Sequence, residues 1–135
     1  MLYLNFFLRK NINHYFILRK KGDVIMEEIE YNDFKKLQMK VAEIIKVEKV
    51  PNTEKLYRLQ VDIGDKKIQI VTSLVPYYTK EELQNHKIVV LINLKPMKFR
   101  GELSEGMLLC AEKNDESECV LLTVGKDIAN GTPIT

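Results

Sequence analysis

The alternation of apolar and polar residues along the middle of the chain predicts three consecutive β-strands. Between residues 39 and 50 the apolar positions are mostly β-branched and nearly alternate, but their phase slips at Ile44-Ile45. Such a slip is typical of a strand that carries a β-bulge. Two shorter alternating segments follow at residues 56–63 and 67–72, and Gly64-Asp65 between them favours a hairpin turn. These residues therefore predict a three-stranded meander.

Two short helices are predicted on either side of this meander. Residues 31–37 can form one or two helical turns, with Asn32 or Asp33 as the capping residue. Residues 79–82 match the TxxE capping box that begins a helix, and Asn85 can end that helix.

Nearly continuous apolar runs at residues 87–94 and 107–111 predict two buried strands, and residues 120–124 can add one more. The order of three strands, a short helix and two strands is that of the OB-fold, a five-stranded barrel. We therefore predict an all-β, five-stranded OB-fold barrel. It has short helices at the N-terminus and between strands three and four, and a C-terminal extension. A Greek-key sandwich is the alternative, although a single helix between strands three and four is less natural there.

The first 25 residues differ in composition from the rest of the chain. Five of the 21 Lys and Arg residues lie there against one of the 19 Asp and Glu residues, which leaves 16 basic and 18 acidic residues beyond. The segment is a poor match to a signal peptide or an interfacial helix. Because residues 21–23 can be encoded by a ribosome-binding sequence, we expect translation to start at Met26, with a disordered or membrane-touching leader as the alternative. We divide the chain into a leader, 1–25, and one domain, 26–135.

The domain lacks a recognisable set of catalytic residues. His86 is its one histidine, and a lone His beside a helix end is usually a surface or capping residue. Ser104 lies in SEGM rather than GxSxG, and the domain has neither a GxxxxGKS nor a GxGxxG phosphate-binding loop. We therefore expect no catalytic residue, no cofactor and no enzymatic activity.

The two cysteines favour an intracellular protein without a metal site. Cys110 and Cys119 lie in different apolar runs, without CxxC spacing or a nearby His. We expect two buried thiols rather than a disulfide. Since no apolar run approaches the roughly 20 residues that span a bilayer, we also expect a cytoplasmic protein that has no membrane partner.

The segment between the last two predicted barrel strands interleaves cations with apolar side chains. Lys95, Lys98 and Arg100 can neutralise phosphates there. Phe99 can present a ring to an unstacked base, and Gly101 lets the chain turn close to a ligand. The alternative is a solvated basic loop with Phe99 in the core.

Other cations lie where barrel closure would bring them near this loop. Lys36 and Lys40 flank the end of the first helix, and Lys55 and Arg58 follow the first turn. An OB-fold binds oligonucleotides across strands two and three and through the loops that join strands one to two and four to five. Because Lys55 and Lys98 fall in those two loops, we expect a nucleic-acid-binding surface.

Six ordered motifs resemble the tRNA-binding domain found at the C-terminus of methionyl-tRNA synthetases and in free-standing relatives. They are DFKKLQMKVAEI, PNTEKLYRLQVDIG, QIVTSL, NLKPMKFRG, SEGMLL and NGTPI, and the resemblance covers nearly all of residues 33–134. It implies an OB-fold that binds tRNA by shape and charge, with little reading of base sequence. It implies no aminoacylation by this chain.

The resemblance also implies a set of tRNA-binding residues, in which Ser104 bonds a phosphate or ribose hydroxyl and Met107 offers apolar contact. The full set is Lys40, Asn52, Lys55, Lys95, Lys98, Arg100, Ser104 and Met107. The chain departs from the family at Lys40, where Arg is usual, and a lysine lacks the bidentate fork of arginine. Glu102 and Glu105 bring negative charge close to the basic loop, which we expect to weaken binding.

Two protein partners follow from the same resemblance. Free-standing family members have a similar C-terminal extension and pair as dimers, so we expect a homodimer, with closure of one barrel end as the alternative role of the tail. We expect an accessory protein that binds tRNA and works in trans with the catalytic chain of a methionyl-tRNA synthetase. A CsaA-like secretion chaperone, or protein-binding OB module, is the alternative function, and an enzyme of unrecognised type is the third.

Overall fold

The computed structural model describes residues 27–135, in which short helices flank a strongly curved antiparallel sheet. The helices are α1 (Tyr31–Lys35) and α2 (Lys80–Leu83). The strands are β1 (Met39–Lys49), β2 (Tyr57–Asp62), β3 (Lys67–Thr72), β4 (Lys87–Leu91), β5 (Met97–Phe99), β6 (Glu102–Ser104), β7 (Met107–Leu108), β8 (Cys110–Glu112) and β9 (Cys119–Leu121). The predicted leader and the predicted start at Met26 lie outside the described residues.

The long first strand bends at the predicted bulge. Its register with β2 shifts between Ile44 and Lys46, so Ile45 is the extra residue. Residues 39–43 pair with β4, and residues 43–44 and 46–49, on both sides of the bulge, pair with β2. Because one bent strand serves two neighbours, the five-stranded sheet, in the order β3-β2-β1-β4-β7, curls towards a barrel.

Backbone contacts at the far edge of β3 nearly close this barrel. Glu105 N donates to Gln69 O at 2.7 Å, and Val71 N donates to Ser104 Oγ at 3.0 Å. Both links join β3 to the segment that leads into β7, the opposite edge of the sheet. The prediction of a five-stranded OB-fold barrel is thereby confirmed, and the sandwich alternative does not apply.

The barrel interior is filled by the inward residues of alternating strands. In β2 every second residue is buried, as the pattern of the sequence predicted. Burial of one Leu, Ile or Val side chain contributes about 1.5 to 3 kcal/mol, so this layer stabilises the fold strongly. The main cluster includes Ala42, Ile44, Leu59, Val61, Ile70, Leu74, Ile88, Val90 and Leu108.

The two helices differ in how well their caps were predicted. The capping box of α2 is confirmed: Thr79 Oγ1 accepts from Glu82 N at 3.2 Å, and the Glu82 carboxylate accepts from Thr79 N at 3.3 Å. In α1 the N-cap is Glu30 rather than Asn32 or Asp33. Asp33 is instead the third helical residue, and its carboxylate accepts from Glu30 N at 3.3 Å.

The later strands are shorter than predicted because the chain changes partners. Beyond β4, Asn93 turns back towards α1, where its side chain accepts from Gln38 N at 2.9 Å and donates to Lys36 O. At Leu109 the strand predicted for residues 107–111 divides into β7, which pairs with β4, and β8, which pairs with β9. The additional strand predicted at residues 120–124 is β9, which begins one residue earlier and ends at Leu121.

The C-terminal segment lies beside the first half of β1. Gly131 N donates to Val41 O at 2.7 Å, and Ile134 N donates to Met39 O at 2.9 Å. Gly131, with φ +87°, passes so close to the β2–β3 turn that an added Cβ would lie 2.8 Å from Ile63 O. The glycine of the NGTPI motif is therefore required by this close approach.

Candidate nucleic-acid interface

The segment predicted as a basic loop is a short β-hairpin. Strands β5 and β6 pair with Met97 opposite Ser104 and Phe99 opposite Glu102. Arg100 and Gly101 form the turn, with φ of 51° and 81°. Two successive positive φ values are typical of the tight two-residue turn that matches the twist of a hairpin. The hairpin was missed because strands of three residues are too short to show an alternating pattern.

Phe99 points into the domain rather than towards solvent. It is 7% exposed and packs in a second apolar cluster with Val50, Leu56, Val71, Leu91 and Met107. The prediction that its ring faces an unstacked base is therefore wrong, and the alternative of a buried Phe99 is correct. The reason is the hairpin register, which places Lys98 and Arg100 outside and the residue between them inside.

This second cluster joins the two loops that carry the predicted cations. Val50 and Leu56 flank the β1–β2 loop, and Leu94 and Met97 pack on the same cluster from the β4–β5 segment. The exposed residues next to these anchors therefore lie at one end of the barrel. We call them the basic rim: Asn52, Lys55, Lys95, Lys98 and Arg100.

Lys36 and Lys40 lie beside the basic rim, on a segment that is bonded by Asn93 and packs on the second cluster through Met39. Lys40 is on β1, opposite Val90, is half-buried and forms a bridge with Pro133 of the C-terminal segment. Lys36 is exposed, and its Nζ lies 3.1 Å from Asp33 Oδ1.

Ser104, the last residue of β6, and Met107, the first residue of β7, have buried side chains. Ser104 is fully buried; its Oγ accepts from Val71 N at 3.0 Å and donates to Gly106 O at 3.1 Å. Met107 is 4% exposed and packs beneath Phe99 in the second cluster. Both side chains are thus buried in the structure, and their expected contacts with tRNA stay a prediction. The sequence pattern did not predict that the β6–β7 segment is buried.

Arg58, which we expected among the binding cations, lies between two carboxylates. Its Nη1 is 2.7 Å from Glu102 Oε1, and its Nη2 bonds the carboxylate of Glu48. Glu48 also receives Lys46 Nζ at 2.7 Å. Hydrogen bonds from Lys46 and Arg58 lower the pKa of Glu48 to about 2. The guanidinium is thus occupied within the protein.

Both acidic residues near the basic loop bond to groups of the barrel. Glu102 bonds Arg58, and the Glu105 carboxylate accepts from Gln69 N at 2.8 Å. We expect these acids to weaken binding less than free carboxylates would, because each carboxylate has a partner on the barrel. The tip cations Lys98 and Arg100 remain exposed.

The described part of the chain also bears on the expectations for metals and membranes. Residues 27–135 contain no group of three or more His, Cys, Asp or Glu side chains that could hold a metal ion. Within that range, no helix has the length and apolarity needed to cross a bilayer. Cys110 and Cys119 are free thiols, the first partly exposed and the second buried, and burial raises the pKa of both.

A five-stranded barrel with cationic loops at one end is the form of an OB-fold binding module. A family model described as a putative tRNA binding domain matches residues 39–133, and the chain belongs to this family. The methionine–tRNA ligase of Methanocaldococcus jannaschii is 45% identical over 114 residues, which cover 84% of this chain and 17% of that protein. The methionine–tRNA ligase of Archaeoglobus fulgidus is 46% identical over 108 residues, covering 80% of this chain and 16% of that protein. The chain thus spans about a sixth of the length of these relatives.

Similar solved structures include a MetRS-related protein and a CsaA chaperone. A MetRS-related protein from Pyrococcus horikoshii superposes with a TM-score of 0.77 at 38% identity, over 82% of this chain and 100% of that chain. The CsaA chaperone from Picrophilus torridus superposes with a TM-score of 0.72 at 30% identity, over 80% of this chain and 100% of that chain. The resemblance drawn from the six motifs is confirmed.

Proposed function

We propose that this protein binds tRNA through the basic rim, by shape and backbone charge. The observation that carries the proposal is the second apolar cluster, which holds both cationic loops at one end of the barrel. Lysine and arginine contacts to phosphates supply affinity without reading sequence. With Phe99 buried, base stacking on its ring does not contribute. Since residues 26–135 hold more acidic than basic side chains, the attraction must be local to the rim.

We further propose that the protein acts in the cytoplasm as an accessory module for a methionyl-tRNA synthetase catalytic chain, without catalysis of its own. The chain aligns with 16–17% of the length of the archaeal methionine–tRNA ligases, which leaves most of those enzymes unmatched. It also covers the whole length of the MetRS-related protein from Pyrococcus horikoshii. These matches support a role in which the module supplies tRNA affinity and another chain supplies the chemistry.

The salt dependence of tRNA binding tests the site. We expect affinity to fall steeply between about 50 and 200 mM salt, because each neutralised phosphate contributes about 0.7 to 0.9 to the log–log slope. The double variant Lys98→Gln, Arg100→Gln should flatten that slope by about 1.4 to 1.8. Fluorescence anisotropy with labelled tRNA at several salt concentrations measures both quantities.

The matched control is Lys66→Gln, Lys67→Gln. These exposed lysines carry the same charge but lie at the β2–β3 turn, at the opposite end of β2 from the basic rim. The control variant should keep the slope of the unmodified protein. An unchanged slope in the Lys98, Arg100 variant would count against the basic rim as the binding site.

A second candidate is a CsaA-like chaperone that binds polypeptides, which the superposition on two CsaA proteins favours. These proteins, from Picrophilus torridus and Bacillus anthracis, have TM-scores of 0.72 and 0.73. Peptide binding that survives high salt, in a protein that does not bind tRNA at low salt, would replace the tRNA proposal with this one.

A further inference from the structure

Arg58 occupies a central position between the barrel and the cationic hairpin. On β2 it lies directly opposite Glu48 of β1, and its other side faces Glu102, the first residue of β6. One guanidinium therefore bonds two carboxylates, one on the barrel and one on the hairpin. The planar fork of arginine, with its several donors, suits such a double contact. The Arg58 side chain is 26% exposed, so it is partly shielded from water.

The hairpin depends on contacts with the barrel for its orientation. Strands β5 and β6 have three residues each, and an isolated two-stranded hairpin is marginal in water. Its base is attached to β3, where Gln69 Nε2 donates to Leu103 O at 2.8 Å and Ser104 Oγ accepts from Val71 N. The part nearer the tip is attached through Phe99 on the inside and through the Glu102–Arg58 pair on the outside.

The pair also determines what the Glu102 carboxylate can do. Glu102 is two residues from Arg100, the cation at the turn. A free carboxylate at this place would compete with RNA phosphates for the cations of the tip. While Glu102 is bonded to Arg58, that competition is suppressed and Lys98 and Arg100 stay available.

We propose that Arg58 is a positioning residue for RNA binding: it fixes the hairpin through Glu102 and contacts no phosphate itself. The inference rests on the proposed function, and it assigns the neutralisation of phosphates to the hairpin tip. The positive charge of Arg58 is paired within the protein with Glu48 and Glu102.

The test compares three single variants with equal changes of charge, and adds Glu102→Gln alone and combined with Arg58→Gln. Arg58→Gln removes the contact with Glu102. Lys46→Gln is the matched control, because Lys46 bonds Glu48 but does not reach the hairpin. Lys98→Gln removes a cation from the tip. For each variant we would measure tRNA affinity at several salt concentrations and hydrogen exchange of the hairpin amides in the absence of RNA.

We expect Arg58→Gln to weaken tRNA binding by about fivefold, the upper range for a partly exposed ion pair, and to lower the salt slope by less than one lost phosphate contact would, about 0.7 to 0.9, since the freed Glu102 competes for the tip cations. Exchange of the hairpin amides should become faster. Lys98→Gln should lower the slope by about 0.7 to 0.9 without faster exchange. Lys46→Gln should change affinity less than about twofold, since exposed pairs contribute little. Glu102→Gln, which keeps Arg58, should accelerate hairpin exchange as much as Arg58→Gln does, with no further increase in the double variant.

Two results would overturn the inference. If Arg58→Gln lowers the slope as Lys98→Gln does and leaves hairpin exchange unchanged, Arg58 binds a phosphate directly. If Lys46→Gln weakens binding as much as Arg58→Gln, the effect is one of general charge. Failure of the unmodified protein to bind tRNA would instead remove the proposed function, while hairpin exchange would still decide whether Arg58 holds the hairpin.

Discussion

At the scale of single residues, the outer face of the sheet is organised by a chain of alternating charges. It runs from Lys46 through Glu48 and Arg58 to Glu102 in three ion pairs, of which the last two link β1 to β2 and β2 to β6. Each inner member has two partners of opposite sign. Glu48 is the member whose protonation is affected most, and the pH dependence of stability should report it.

The first prediction concerns Glu48. Two hydrogen bonds lower its pKa from an ordinary value of 4.5 to about 2. A carboxylate whose pKa is lowered by folding stabilises the protein above its ordinary pKa, and this contribution is lost as the pH falls towards the folded value. Glu48→Gln should therefore be less stable than the unmodified protein near neutral pH, and the difference should shrink as the pH falls from 4.5 towards 2.

Urea unfolding midpoints of both proteins across this pH range would measure the difference. Glu43→Gln is the control, because Glu43 is on the same strand, opposite Asp62 of β2 and Lys87 of β4, and none of the ion pairs described among residues 27–135 includes it. A difference between Glu48→Gln and the unmodified protein that stays constant down to pH 2 would show that Glu48 is not held as a carboxylate.

At the scale of elements, the sequence was informative where a pattern is long or a cap is local. The bulge in β1 followed from the slip at Ile44-Ile45, and the capping box of α2 followed from Thr79 and Glu82. The β5–β6 hairpin and the burial of Phe99 could not be predicted in this way, because three-residue strands carry no period. The only local signal was Gly101 in a cationic segment.

The candidate site could likewise be predicted from the sequence only where residue type decides exposure, and not where a contact joins distant residues. The exposed loop cations follow from residue type, and Lys55, Lys98 and Arg100 do lie at one end of the barrel. The pairing of Arg58 with Glu102 joins residues 44 positions apart and depends on the register of two hairpins. A single sequence does not specify such a contact, so Arg58 was assigned to the cations of the interface.

The shape of the β5–β6 hairpin can be separated from its charge at Arg100. Arg100 has φ 51°, a conformation that asparagine adopts more readily, and Asn-Gly is the preferred sequence for this turn. Arg100→Asn should therefore slow hydrogen exchange in the hairpin while weakening tRNA binding and lowering the salt slope by about 0.7 to 0.9.

Arg100→Lys provides the comparison, since it keeps the charge but does not favour the turn conformation. It should retain the slope and leave hairpin exchange no slower than in the unmodified protein. If Arg100→Asn binds tRNA as tightly as the unmodified protein, Arg100 does not neutralise a phosphate and the turn alone matters.

At the scale of the whole molecule, the hairpin formed by β8 and β9 exposes apolar side chains outside the barrel. Val120 is 55% exposed and lies opposite Ala111 of β8, which is also exposed, and Leu122 is 40% exposed. These exposed apolar side chains agree with the expectation of a homodimer. The tail also packs on the barrel, where Lys87 Nζ lies 2.9 Å from Asp127 Oδ1, so both proposed roles of the tail have structural support.

We predict that the unmodified protein sediments as a dimer and that Val120→Asp sediments as a monomer, because a carboxylate buried in an apolar interface without a partner is strongly unfavourable. Sedimentation velocity at micromolar protein concentrations would show the change in mass. Ile29→Asp is the control, since Ile29 is equally apolar and 69% exposed but lies before α1. If the unmodified protein sediments as a monomer, the tail serves only to cover the barrel.

The pairing of the C-terminal segment with β1 has a consequence for how such a module can be carried. Residues 131–134 run beside residues 39–41, so the polypeptide enters and leaves the barrel at nearly the same place. A unit whose entry and exit are neighbours can be joined to a larger host at either end without disturbing its interior. The same barrel can therefore be carried as a unit by different host proteins.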